Sequence, residues 1–244
     1  MLHNTAGIVL RNIKYGETSV VATIFTELFG VQSYLINGIR VSSPKSAPKA
    51  GMLQPACILD MVVYHNELKN LQRVKEFKWK FLYQRIYFDV RKNAVALFMV
   101  ELLTRCLKQP EPQPDLFHFC EDALENLDRC DESVTANFPL YFILHLAHFF
   151  GFRMNDDYSP KRSILDLAEG NFVEEKPAHQ YYLESNLSET SSQFLKVMQP
   201  DELAQIKLNR ETRKQLLQAY VHYYMLHLPG FGILRSLPVL QEIF

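Results

Sequence analysis

The stretch AGIVLRNIKYGETSVVATIFTELFGVQSYLI, residues 6–36, decides the fold of the N-terminal part of the chain. It contains three β-compatible runs, Ala6–Ile13, Thr18–Thr26 and Val31–Ile36, rich in β-branched and aromatic residues. Turn signals separate them, Tyr15-Gly16-Glu17 and then Leu28-Phe29-Gly30. Working outward, Ile58–Tyr64 and Leu71–Phe77 read as two more strands. Five short strands in about eighty residues predict a small barrel, with the OB-fold as leading candidate. An SH3-like barrel is the competitor, because periodicity does not order strands.

Glycine marks where this part ends. Gly7, Gly16, Gly30, Gly38 and Gly51 fall within the first 51 residues, and the next glycine is Gly151. Frequent turns therefore give way to a long turn-poor region, as expected when strands are followed by helices. Val95, Met99, Leu102 and Cys106 recur at helical spacing within a helix expected over 81–108. Pro110, Pro112 and Pro114 stop it, and Asp115 reads as the N-cap of a helix to about Asp128. Leu140–Phe150 is apolar on nearly every side, as a fully surrounded helix should be. A further helix starts near Asn209 and stops at Pro229-Gly230, and Ile233–Phe244 reads as a short closing element. Ile164–Leu167 and Phe172-Val173, flanking Gly170, read as an inserted hairpin near 162–175. The expected class is α+β: an OB-fold barrel over 1–80, then a mainly α-helical domain over 81–244.

Charge divides at the same place. The whole chain carries a formal net charge of −1, with 48% hydrophobic and 22% charged residues, which excludes wholesale disorder. Residues 1–80 hold ten Lys and Arg against five Asp and Glu, a net of +5; residues 81–244 hold sixteen against twenty-two, a net of −6. A basic barrel points to polyanions, whose phosphates it meets with release of counterions. The expected DNA-binding residues are Arg11, Lys14, Tyr34, Arg40, Lys45, Lys49, Arg73, Lys75 and Lys78. Arg40, Lys45 and Lys49 lie in a Ser- and Pro-rich loop whose charges are all positive; Arg73 and Lys75 alternate with Val74 and so share a strand face. Tyr15, Phe29 and Tyr34 are the aromatics weighed for base stacking, with core packing favoured for Phe29.

Other chemistry finds no support. No Walker-type loop, GxGxxG, GxSxG or HExxH occurs. His145 and His148 lie three apart without further ligands at zinc spacing, so no metal and no cofactor are expected. Asp156-Asp157 and Glu174-Glu175 read as solvated loop acids rather than a facing catalytic pair. Cys57, Cys106, Cys120 and Cys130 form no CxxC pair, and neither a signal peptide nor a membrane span is visible, which points to the cytoplasm.

Several stretches together resemble the bacterial recombination mediator family RecO. They are Gly7-Ile8-Val9-Leu10-Arg11, Tyr15-Gly16-Glu17-Thr18-Ser19, Phe25-Thr26, Gly30 and Asn37-Gly38-Ile39-Arg40. Leu53-Gln54-Pro55, Glu101-Leu102-Leu103 with Arg105, and Arg235-Ser236-Leu237 follow in the family's order. The resemblance implies a non-catalytic protein that binds single- and double-stranded DNA and anneals complementary strands. It also implies RecR and the acidic, Phe-ending tail of the single-strand-binding protein as partners, with loading of RecA onto coated DNA as the outcome. Many members carry a zinc module with two CxxC pairs; the corresponding stretch here, about 153–186, has no cysteine. The tail pocket is expected near the helix ending at Phe150, with Arg129 and Arg153 as candidate contacts. A protein-interaction adaptor with incidental DNA contact is the alternative, and an enzyme on the helical scaffold a third reading without a motif behind it.

Overall fold

The structure is a computed structural model, and it describes residues 1–39 and 50–244. The chain forms two compact units, residues 1–84 with 107–125, and residues 85–106 with 126–244.

The first unit is built on a closed barrel of five strands: β1 (Leu2–Tyr15), β2 (Ser19–Thr26), β3 (Gly30–Ile36), β4 (Ile58–Tyr64) and β5 (Leu71–Trp79). They run in the order β1-β2-β3-β5-β4, and β4 closes on β1. All pairs are antiparallel except β3 with β5. This is the OB-fold strand order, and it removes sheet edges by closure. β1 is longer than its apolar run predicted. Its first half pairs with β4 from Leu2 to Ile8, its second half with β2 from Gly7 to Tyr15, and a bulge between Val9 and Arg11 turns it from one to the other. The polar His3, Asn4 and Thr5 hide this first half from a hydrophobicity reading.

Ile8, Val9, Ala22, Ile24, Tyr34, Ile58 and Val63 are buried in the first unit. Gly30 has φ +61, and a Cβ there would overlap the Glu111 backbone, so only glycine fits. Phe117 packs on Phe25, ring centroids 5.6 Å apart.

In the second unit α1 spans Val90–Cys106, beginning later than position 81 because Asp89 caps it, its carboxylate accepting from Arg91 N at 2.8 Å. Val95, Met99, Leu102 and Cys106 are buried, as their spacing predicted. α2 (Pro114–Arg129) starts at the proline, so Asp115 lies in its first turn rather than capping it. α2 begins in the first unit and ends in the second. α3 (Glu132–Leu146) continues as a 3-10 turn, Ala147–Phe150, and stops at Gly151, φ +81. It packs against α1, against α4 (Ser185–Lys196), against α5 (Arg210–His227) and against the 3-10 helix Pro200–Gln205, which is why almost every side of it is apolar. α6 (Ser236–Ile243) is the closing element and packs on α1.

Two polar contacts organise this unit. Lys92 is 3% exposed, and its ammonium donates to the carbonyls of Leu127 (2.6 Å), Asp128 (3.0 Å) and Cys130 (2.6 Å) at the end of α2. These are carbonyls that a helix C-terminus leaves without intrahelical partners. Glu101 accepts from Arg235 N, Ser236 N and Ser236 Oγ at 2.9, 2.8 and 2.6 Å, while Arg105 donates to Ile233 O at 3.0 Å. The Glu101…Arg105 and Arg235-Ser236 stretches, far apart in sequence, are thus two sides of one contact.

The expected hairpin is present as β6 (Ile164–Asp166) and β7 (Asn171–Val173), and β8 (Tyr182–Leu183) adds a third strand in the order β7-β6-β8. Among the described residues no group of three or more His, Cys, Asp or Glu is placed to hold a metal ion. Side-chain contacts tie this small sheet together. Buried Asp166 faces His179 at 3.3 Å, and Tyr181 stacks on His222 with centroids 5.0 Å apart. Asp156 and Asp157 are anchors rather than solvated acids: Asp156 accepts from Ser192 Oγ at 2.7 Å, and Asp157 accepts from Phe172 N at 2.9 Å and pairs with Arg162. No described helix is long and apolar enough to cross a membrane.

Candidate nucleic-acid interface

Strand register assembles the site. Residues directly opposite in a ladder point to the same face. One outward row runs Ile13 (β1), Val21 (β2), Leu35 (β3), Arg73 (β5), Tyr64 (β4) and back to Leu2 (β1). The row beside it is Arg11, Thr23, Ser33 and Leu71. None of these ten side chains is buried, and Leu2, Ile13, Tyr64 and Leu71 are exposed. A half-exposed apolar belt on a barrel, crossed by arginines, marks an interaction surface.

The described basic residues of the barrel sort into two groups. Arg11, Lys14, Lys69, Arg73 and Lys75 are exposed and have no carboxylate partner among the described residues. Lys75 stands at the β5 bulge, where Glu76 opposes Val62 and Val74 opposes Val63, so it projects as an extra residue in the strand. Lys78, by contrast, pairs with Asp60 at 3.5 Å, and Lys80 with Glu121 at 2.7 Å. Glu27 faces His118 at 3.4 Å. Segment 107–125 adds Lys108 but also Glu111, Asp115, Glu121, Asp122 and Glu125, which brings the first unit from +5 to +1. The cationic character of this unit therefore lies in where its free side chains stand, not in its sum.

Tyr34 needs correction as a binding residue. It lies opposite Ala22, and its alternate neighbour Ile36 lies opposite Val20, so its ring points into the barrel. It is fully buried, and burial pushes its phenol far above the ordinary range; no base reaches it. Phe29 is also engaged, stacked on His65 with centroids 3.9 Å apart. Tyr15 is exposed at the end of β1. Arg40, Lys45 and Lys49 lie outside the described residues. Nothing in the sequence marks Tyr64, because the end of an apolar strand looks like core; its register with Arg73 and its exposure show that it faces out.

Cavities on the described part of the barrel differ in their lining. One of about 230 Å³ is lined by Tyr64, His65, Lys69, Leu71, Gln72 and Arg73 among others. A larger one of about 660 Å³ is lined by Glu27, Asp60 and Glu76 as well as Lys78 and Lys80. Its lysines are already paired and its acids outnumber them, so it does not suit a phosphate backbone. In the second unit a cavity of about 280 Å³ is lined by Leu144, His145, His148, Arg153, Asp156 and Leu195 among others. Burial holds the His145 imidazole below its ordinary range, reinforced by His148. Arg153 thus stands at the end of the helix where the tail pocket was expected; Arg129 is exposed but does not line this cavity.

Comparison with known proteins agrees with this architecture. The family model for the recombination protein O N terminal matches residues 1–83, and that for the recombination protein O C terminal matches residues 87–237. The DNA repair protein RecO of Bacteroides fragilis is 33% identical over 245 residues, covering all of both chains. That of Phocaeicola vulgatus is 31% identical over 244 residues with the same coverage, and that of Flavobacterium psychrophilum 32% identical over 98% of each. With both family models matched in order and full-length relatives above 30% identity, the chain belongs to the RecO family of DNA repair and recombination proteins.

Proposed function

We propose that this protein binds single- and double-stranded DNA on the outer belt of the barrel and anneals complementary strands. It thereby helps load the RecA recombinase onto DNA coated by single-strand-binding protein. The observation that carries the reading is the pair of cross-strand rows in which Arg11 and Arg73 stand among exposed apolar side chains, with Lys14, Lys69 and Lys75 free of carboxylates among the described residues. Two strands repel through their phosphates; free cations on one surface lower that repulsion, and apolar side chains give bases a surface to rest on. No covalent step is needed, so the role is that of a mediator acting in the cytoplasm, with RecR as an associated partner.

The 280 Å³ cavity of the second unit supports docking of the single-strand-binding protein's acidic, Phe-ending tail. Arg153 offers a charge for a carboxylate, and Leu144 and Leu195 an apolar wall.

The test is annealing of two complementary fluorophore- and quencher-labelled strands, each coated with single-strand-binding protein. The wild-type chain should accelerate it. Arg11→Glu/Arg73→Glu/Lys75→Glu should reduce the rate at least tenfold with the fold retained by circular dichroism. Arg153→Glu should slow annealing only when the coating protein is present. An unchanged rate in the triple variant would remove the belt from the mechanism.

A further inference from the structure

We propose that the cavity where β4 meets β5 is a subsite for one nucleotide of a single strand, its base resting on Tyr64 and its phosphate held between Lys69 and Arg73. The inference rests on the DNA-binding reading and gives it a specific address.

The site is built before any ligand arrives. Gln72 is buried, and its amide fixes the connecting loop at three points: its oxygen accepts from Asn66 N at 3.0 Å, and its nitrogen donates to Asn66 O at 2.9 Å and Lys69 O at 2.5 Å. Asn66 in turn accepts from Leu68 N through its side chain at 2.9 Å, and Lys69 N donates to Asn66 O at 3.0 Å. A loop pinned in this way loses little further conformational entropy on binding. Lys69 and Arg73 both line the cavity that this loop borders.

The lining matches a nucleotide. Tyr64 is 49% exposed and lies directly opposite Arg73 in the ladder. Leu71, also exposed, is two residues from Arg73 on the same outward face. An aromatic face and an aliphatic side chain suit a base, whose stacking is tolerant of sequence. Lys69 and Arg73 have no carboxylate partner among the described residues, so both are available to a phosphate. Glu67, the acid of the loop, is exposed and does not line the cavity. Burial, with His3 beside it, outweighs the opposing pull of Glu67 and holds the His65 imidazole below its ordinary range.

The experiment uses the full chain and a thymidine oligomer carrying 5-iododeoxyuridine, irradiated in the complex and mapped by peptide mass spectrometry. The cross-link should fall on Tyr64. Tyr64→Ser should abolish it and weaken single-strand affinity by about five- to a hundred-fold without changing the salt slope. Tyr64→Phe should retain both cross-link and affinity, which shows that the loss in the serine variant is not a folding defect. Lys69→Ala and Arg73→Ala should each flatten the salt slope by about 0.7. Binding with cross-links only elsewhere, or full affinity in Tyr64→Ser, overturns the subsite and leaves the DNA-binding reading standing. Failure of the folded wild-type chain to bind any DNA overturns both.

Discussion

Replacing Lys92 with methionine should be among the most damaging single changes in the second unit. The ammonium is 3% exposed and donates to three carbonyls at the end of α2, at 2.6, 3.0 and 2.6 Å, with no carboxylate among its partners. Its charge is balanced by the helix C-terminal dipole and the aligned carbonyls. Methionine fills much of the volume but donates nothing. Three carbonyls then lose a charged donor while staying in a region of low dielectric. Each orphaned group is worth ~1–3 kcal/mol, and they share one donor and do not add in full, so a loss of about 3–5 kcal/mol is expected. Against a typical total of about 5–15 kcal/mol, that is a large fraction. Urea unfolding followed by far-UV circular dichroism measures it. Lys92→Arg should retain part of the stability, because guanidinium donors reach the same carbonyls. A Lys92→Met variant within about 0.5 kcal/mol of wild type would refute the reasoning, since only uncommitted surface positions behave that way.

Gly30→Ala should destabilise the barrel by about 2 kcal/mol or more, from the left-handed backbone and the overlap with Glu111, and lower the melting temperature by several degrees. Glu101→Gln should cost about 1.5–3 kcal/mol at pH 7 by weakening its hold on Arg235 and Ser236. Burial opposes ionisation of Glu101, but the Ser236 hydroxyl and the two amides outweigh it and hold its carboxyl below the ordinary 4.5. A depressed carboxyl stabilises the fold above that unfolded value, and the contribution is lost as pH falls through the folded value. The wild type should therefore lose stability more steeply than Glu101→Gln below about pH 4.5, a difference that urea titrations across pH 3–7 will register.

The barrel could be read from the sequence because its strands alternate and glycines punctuate them. Its charge could not. Lys80 is one of the ten cations counted over residues 1–80, yet its partner Glu121 lies forty-one positions along, on a helix that folds back on the barrel. Tyr34 looked available because a tyrosine in a basic domain invites stacking; the β2–β3 register, set by the turn into Gly30, turns it inward opposite Ala22. Tyr64 was hidden for the converse reason. The helical face of Val95, Met99, Leu102 and Cys106 followed from spacing alone, because helix burial repeats locally. β8 did not, since two residues carry no period and its place is fixed by Leu165 and Asp166 across the sheet.

If free cations on the outer belt of the barrel meet the DNA backbone, binding must depend on them and on salt. Fluorescence anisotropy gives the single-strand affinity of the full chain as a function of salt, for the wild type and for Arg11→Ala/Arg73→Ala/Lys75→Ala. Three lost phosphate contacts should flatten the slope of log affinity against log salt by about 2. Affinity at low salt should fall with it. A triple variant whose slope and affinity match the wild type would contradict the account, and the belt would then have to be assigned to a partner other than DNA.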